Sequence, residues 1–153
     1  MEGGGLIAVS SCLWSKMNSE ALSATIITPV WNRADLTMQF LQQNWRLYQQ
    51  KPIEIIIIDN GSTDSTPIML EAWTERGVKV ISNEKNRGFG PANNQGAAQA
   101  TGDILIFINN DVVVKGDYAS RIIEGLGRNP RDLYGAEYLD FDTGWNTFAD
   151  SVR

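Results

Sequence analysis

The stretch that most restricts this chain is "IEIIIID", residues 53–59. Successive side chains of a strand point to opposite faces, so Ile55, Ile56, Ile57 and Ile58 need apolar cover on both sides. Such runs are the mark of parallel strands sandwiched between helices. The rest of the chain has the same rhythm. "ATIITPVW" is a β-branched run closed by Pro29. "ADLTMQFLQQNWRLYQQ" follows with Leu36, Phe40, Leu41, Trp45 and Tyr48 on one helical face. "STPIMLEAWTERG" predicts a helix with Thr66 as N-cap, Pro67 at the first helical position and Gly77 past its end. "VKVIS" is a third strand, "GPANNQGAAQATG" a small-residue helix, and "DILIFIN" a fourth strand. A last helix is predicted near 117–126 and a further strand in "LYGAEYL". Strand and helix alternating with short links predict an α/β fold, an open and mostly parallel sheet with helices on both faces.

With 153 residues and no repeat or low-complexity linker, one domain is expected, spanning 24–153. Residues 1–23 read as a disordered leader: the apolar stretch Leu6–Val9 is too short to span a membrane and lacks the flanks of a secretion signal. The net charge of −5 argues against a partner read through its phosphate backbone, so no nucleic acid is expected. Cys12 is the single cysteine, which excludes an intrachain disulfide, and the expected location is the cytoplasm or the inner face of a membrane. There is no histidine. That removes His-based nucleophile activation and the usual zinc sites. Chemistry must run on carboxylates, amides, hydroxyls, Lys and Arg.

Open α/β sheets bind ligands at the carboxyl ends of their strands. Here those ends read "PVWN", "DNGSTD", "NEKNRGFG" and "NND". Any one of them is explained by turn chemistry; four polar loops along one sheet edge are better explained by a site. Asp59, at the end of the isoleucine run, offers a carboxylate to a ligand N–H such as a nucleobase presents. Its competing role is to cap the next helix, which Ser62 or Asp64 can also do. Trp31 offers an aromatic face. Gly88 and Gly90 make a GxG, but Asn93 stands where a dinucleotide fingerprint has its third glycine. Asp111, a hard carboxylate between amides and a strand, suits Mg²⁺ or Mn²⁺, which keep several waters and bridge to phosphates.

"TIITPVWNR", "IIIIDNGSTDST" and "NRGFGPANNQGAAQATGDILIFINNDV" resemble the nucleotide-binding half of family 2 glycosyltransferases of the GT-A (Rossmann-like) fold, over about residues 24–118. The resemblance implies inverting transfer of a sugar from a nucleotide diphosphate sugar, a UDP- or dTDP-sugar, with a divalent metal. By it, Pro29 and Trp31 border the nucleobase. Asp59 and Asn60 stand where the family has a paired acidic motif facing base and ribose. Asn86, Gly88 and Asn94 face the sugar diphosphate. Asn109, Asn110 and Asp111 match the metal motif, with Asp111 as the ligand. Asn60 and Asn109 each replace an aspartate of the pattern, and Asn at the first metal-motif place is similar to the rhamnosyltransferase subgroup.

The same resemblance predicts a chain that stops short of the acceptor half. No catalytic base is assigned, since Glu137, Asp140, Asp142 and Asp150 read as solvated surface. The aromatic tail "LYGAEYLDFDTGWNTF" predicts a homo-oligomer that buries it. Two other functions compete: a nucleotide-sugar-binding fragment without catalysis, and a nicotinamide-dependent oxidoreductase suggested by GxG and the parallel sheet.

Overall fold

The computed structural model describes residues 22–113, 116–128, 138–139 and 146–147. Its elements are β1 (Ala24–Val30), α1 (Ala34–Tyr48), β2 (Ile53–Asp59), α2 (Thr66–Thr74), β3 (Lys79–Ser82), α3 (Phe89–Gln99), β4 (Ile104–Phe107) and α4 (Tyr118–Arg128), then β5 (Tyr138–Leu139) and β6 (Asn146–Thr147). β1 to β4 form one sheet in the order β3-β2-β1-β4, and every pairing in it is parallel. The α/β architecture expected from the isoleucine run is the one observed.

The two faces of the sheet are covered differently. Ile26, Val30, Ile55, Ile57, Ile104 and Ile106 join Phe40, Leu41 and Tyr48 of α1, Leu70 and Trp73 of α2 and Ala119 of α4 in the larger core. Ile27, Ile56 and Ile58 form the smaller core with Ala92 of α3. The parity of the isoleucines therefore divides them between the faces, as a strand's two-residue period requires. α3 lies so close to the sheet that a Cβ added at Gly96 would stand 2.5 Å from Cγ2 of Ile27, which explains the small residues of that helix. α4 is fastened to α1: Tyr118 Oη donates to Asn44 Oδ1 (2.7 Å), the Ala119 N–H donates to Tyr48 Oη (3.1 Å), and Lys51 pairs with Asp117.

Two sequence expectations shift. Ser65, not Thr66, is the N-cap of α2, and Pro67 is its second helical residue. The cause is Asp64, whose Oδ1 accepts the Thr66 N–H (2.9 Å) and so begins the helix one residue earlier. In the tail, where one strand and no later element was expected, β5 pairs antiparallel with β6. The rest of the tail and the leader expected over 1–23 lie outside the described residues, except for Leu22 and Ser23. Leu22 is part of the larger core, and Ser23 is tied to β4 by Ser23 Oγ donating to Asp103 Oδ2 (2.9 Å), so these two belong to the domain. Among the described residues no helix is long and apolar enough to cross a membrane.

Candidate functional site

The strand order reverses beside β1. From β1 the chain steps outward to β2 and β3 with α1 and α2 on one face, then returns over the other face through α3 to place β4 against β1. That reversal is a topological switch point, the position at which open α/β sheets leave a crevice outside their carboxyl ends. The four polar loops, 31–33, 60–65, 83–88 and 108–112, follow the four strand ends on this edge.

The first three of these loops are tied to one another side by side. The Asn60 N–H donates to the Val30 carbonyl (2.8 Å), continuing the β1–β2 ladder past the strands. Asn32 and Arg33 both have left-handed backbones, φ 57° and 59°. Such a pair costs roughly 1–2 kcal/mol per residue and persists only where neighbours dictate it. Here they do: the Asn32 N–H donates to Ser62 Oγ (2.7 Å), and Asn32 Oδ1 accepts the Thr63 N–H (2.8 Å). Asp64 Oδ2 accepts the Ala34 N–H (3.2 Å) while Oδ1 holds Thr66, so one carboxylate serves the first turns of two helices, where negative charge is favoured. The exposed Arg33 guanidinium pairs with Asp35 (3.0 Å) and holds that carboxyl below its usual range.

Between the second and third loops the link is a cluster of amides. Asn60 Nδ2 donates to Asn86 Oδ1 (2.8 Å) and to the Gly88 carbonyl (3.3 Å). Asn60 Oδ1 accepts from Asn83 Nδ2 (3.2 Å) and from the Arg87 N–H (3.0 Å). Asn83 and Gln95 exchange two amide bonds (2.8 and 2.9 Å). Asn86 Oδ1 also accepts the Gly88 N–H (2.8 Å), leading the chain into α3 with Gly88 as its N-cap.

An open cleft of about 150 Å³ lies on this edge and is lined by Pro29, Val30, Trp31, Asn60, Asn86 and Phe89. Two aromatic rings stand at it with large exposed faces, Trp31 at 57% and Phe89 at 61% of full exposure. Four residues singled out by sequence, Pro29, Trp31, Asn60 and Asn86, are thus brought together. Asp59 is buried beside them, outside the lining, and its Oδ1 accepts the Ser62 N–H (3.0 Å). Gly88 borders the cleft through its neighbours, whereas Asn94 is exposed on α3 outside the lining. Sequence reasoning did not single out Phe89, Asn83, Gln95 or Asn32. Phe89 sat between the two glycines of the GxG, and the ring there was the available signal.

The "NND" segment at the end of β4 is a turn. The Ile108 N–H still donates to the Ile27 carbonyl (3.1 Å), and the Val112 N–H donates to the Asn109 carbonyl (3.3 Å). Asn110 is anchored inward, Nδ2 donating to Thr37 Oγ1 in the first turn of α1 (2.9 Å). Asn109 and Asp111 are exposed, and the Asp111 carboxylate has no partner among the described residues. Among those residues no three acidic, His or Cys side chains gather to hold a metal. This donor set fits a hydrated ion shared with a phosphate ligand, which needs only one or two carboxylates from the protein. It does not fit a resident ion held by protein alone.

Comparison with known proteins agrees with this geometry. The chain is 24% identical over 132 residues to glycosyltransferase GlyG of Streptococcus pneumoniae, covering 85% of this chain and 43% of that protein. It is 29% identical to the putative glycosyltransferase EpsH of Bacillus subtilis, covering 79% of this chain and 36% of that one. It therefore spans less than half the length of these relatives. Its fold matches a mannosyltransferase from Pyrobaculum calidifontis in complex with GDP-Man and Mn²⁺, with TM-score 0.59 and 23% identity over 71% of this chain and 32% of the other. It also matches TarS of S. aureus in complex with UDP, with TM-score 0.58 and 22% identity over 71% and 33%. The GxG of this chain follows β3, whereas a dinucleotide fingerprint belongs to the first strand–helix turn, and the model of glycosyl transferase family 2 matches residues 25–151. With the switch-point cleft and the ordered run of strand-end motifs, that match makes the chain a member of glycosyl transferase family 2.

Proposed function

We propose that this chain binds a nucleotide diphosphate sugar, a UDP- or dTDP-sugar, and serves glycosyl transfer with inversion. The observation that carries the reading is the junction of four strand-end loops into one edge. It has an aromatic-flanked cleft over β1 and β2 and, just beyond β4, the Asp111 carboxylate, which has no partner among the described residues. Structural neighbours recorded with GDP-Man and with UDP support a donor of this class. In this reading the base lies between Trp31 and Phe89. Asp59 offers it Oδ2, since Oδ1 is held by Ser62. Asn86, Gly88 and Asn94 face the sugar diphosphate, and Asn109 and Asp111 face its metal.

The acceptor hydroxyl oxygen forms a bond to the anomeric carbon while the bond from that carbon to the diphosphate oxygen breaks, its electrons leaving with the nucleotide diphosphate. The acceptor proton passes to a base that we do not assign to any residue of this chain. Asp111 would be the residue that holds a divalent cation, whose chemistry would be charge neutralisation at the leaving group. The protein's own part is orientation by the clamped loops and a fixed polar edge.

Thermal unfolding with ligands tests the reading. A ligand at one hundred times its Kd stabilises by about 2.7 kcal/mol. UDP or dTDP with Mn²⁺ is expected to raise Tm and NAD to leave it unchanged; a rise with NAD alone would refute the proposal. Binding without turnover of a UDP-sugar would instead favour nucleotide-sugar binding without catalysis.

A further inference from the structure

We propose that Asn60 is a positioning residue that fixes the 83–88 wall of the cleft through its amide, and that its side chain makes no hydrogen bond to the ligand. The proposal rests on the cleft being the nucleotide site, but its first test needs no ligand. A carboxamide offers two donor hydrogens and two acceptor lone pairs. In Asn60 all four are occupied: Nδ2 by Asn86 Oδ1 and the Gly88 carbonyl, Oδ1 by Asn83 Nδ2 and the Arg87 N–H. The side chain is also 4% exposed, so a nucleotide would have to break an internal bond to engage it.

The orientation of this amide is dictated by main-chain groups. The Arg87 N–H can only donate, which assigns it the Asn60 oxygen; the Gly88 carbonyl can only accept, which assigns it the nitrogen. The Gly88 N–H likewise fixes Asn86 with its oxygen toward Asn60, so Asn86 cannot rotate to become the donor. Position 60 therefore requires a group that donates on one side and accepts on the other. An ionised aspartate only accepts. It would face two acceptors, at the 2.8 and 3.3 Å now spanned by hydrogen bonds. This explains why an amide stands where the family pattern has an acid.

Asn60→Asp tests it in two ways. In hydrogen–deuterium exchange of the full chain without ligand at neutral pH, the amides of 83–88 are expected to lose protection while β1 keeps its own. In titration with UDP and Mn²⁺, affinity is expected to fall about tenfold at pH 8, the loss of one well-placed hydrogen bond. That deficit, taken as the ratio to the parent at each pH, should shrink toward pH 5, because burial against two acceptors raises the new carboxyl's pKa and its protonated form regains one donor. A ratio that stays constant with pH, or unchanged protection of 83–88, would overturn the proposal. Parent protein that fails to bind UDP would refute the functional reading alone, since the exchange result stands without ligand. Should Asn60→Asp not fold, Asn60→Ser removes the amide's four hydrogen bonds without adding a charge. It must still lower protection of 83–88, and unchanged protection there would overturn the proposal equally.

Discussion

Replacing Gly61 by alanine measures how tightly the second and third loops are joined. Gly61 has φ +80°, and a Cβ built on it stands 2.7, 2.8 and 3.0 Å from the Cα, C and N of Lys85. Two costs follow. Holding alanine in a left-handed backbone costs roughly 1–2 kcal/mol. Pushing the Lys85 main chain away by most of an ångström costs a further 1–3 kcal/mol or so, by analogy with overpacked cores. Gly77 separates them: its φ is +96°, but nothing lies within 4 Å of an added Cβ. Gly77→Ala should therefore cost about 1–2 kcal/mol and Gly61→Ala about 2–5 kcal/mol. Urea unfolding at fixed pH, followed by circular dichroism, gives both values, and equal slopes would show that the denatured state is unaffected. The Lys85 backbone carries the wall with Asn86, so Gly61→Ala should also weaken UDP binding while Gly77→Ala should not. If the two alanine variants are equally stable, the loop contact is not there and the clamped edge argued above is wrong.

Asp111→Asn is expected to abolish Mn²⁺-dependent binding of nucleotide diphosphate by calorimetry while leaving Tm within a degree or two, because the side chain is exposed and has no partner among the described residues; an unchanged isotherm would remove it from the site. Asp59→Ala should lower affinity for UMP or dTMP about tenfold or more without metal, as loss of a hydrogen bond to a charged group predicts, and identical binding by the variant would leave it only the Ser62 turn. Glu54 should contribute to acid sensitivity: burial raises its pKa, but hydrogen bonds from the Thr101 N–H, Thr25 and Thr101 hydroxyls and the Lys79 charge outweigh it and hold it below 4.5. The stability it adds is then present above the ordinary carboxylate range and lost as pH falls through the depressed value. Glu54→Gln should flatten the low-pH limb of a stability–pH curve, and an identical limb would exclude it.

The sheet was legible because its information is local. Ile55 to Ile58 demand cover on both faces whatever the partner strand, and the turn residues after each strand mark its carboxyl end without knowledge of the order. The links between loops were not legible, because they depend on which strands lie side by side. Asn60 meets Asn83 and Arg87 only once β2 is paired with β3, and Asn32 meets Ser62 only once β1 is paired with β2. The cap of α2 moved by one residue for the same reason, since Asp64 is shared with the start of α1. β5 and β6, two residues each, are too short for any period to reveal them.

The composition of this edge bears on why Asp111 has no partner among the described residues. A chain of net charge −5 that accepts a diphosphate, as proposed, must keep its negative groups from meeting the ligand's. The inter-loop links use neutral amides, Asn32, Asn60, Asn83, Asn86, Gln95 and Asn110, which fix geometry without charge. Two carboxylates beside them are compensated: Asp64 lies at two helix starts and Asp35 pairs with Arg33. Asp59 accepts a main-chain N–H in its turn. Asp111, like the exposed Glu84 of the 83–88 loop, has neither a donor nor a cation among the described residues. A diphosphate approaching this edge would be repelled there unless a cation intervened. On the proposed reading, the exposed Asp111 carboxylate is where a cation shared with the diphosphate would sit, which is what the Asp111→Asn titration tests.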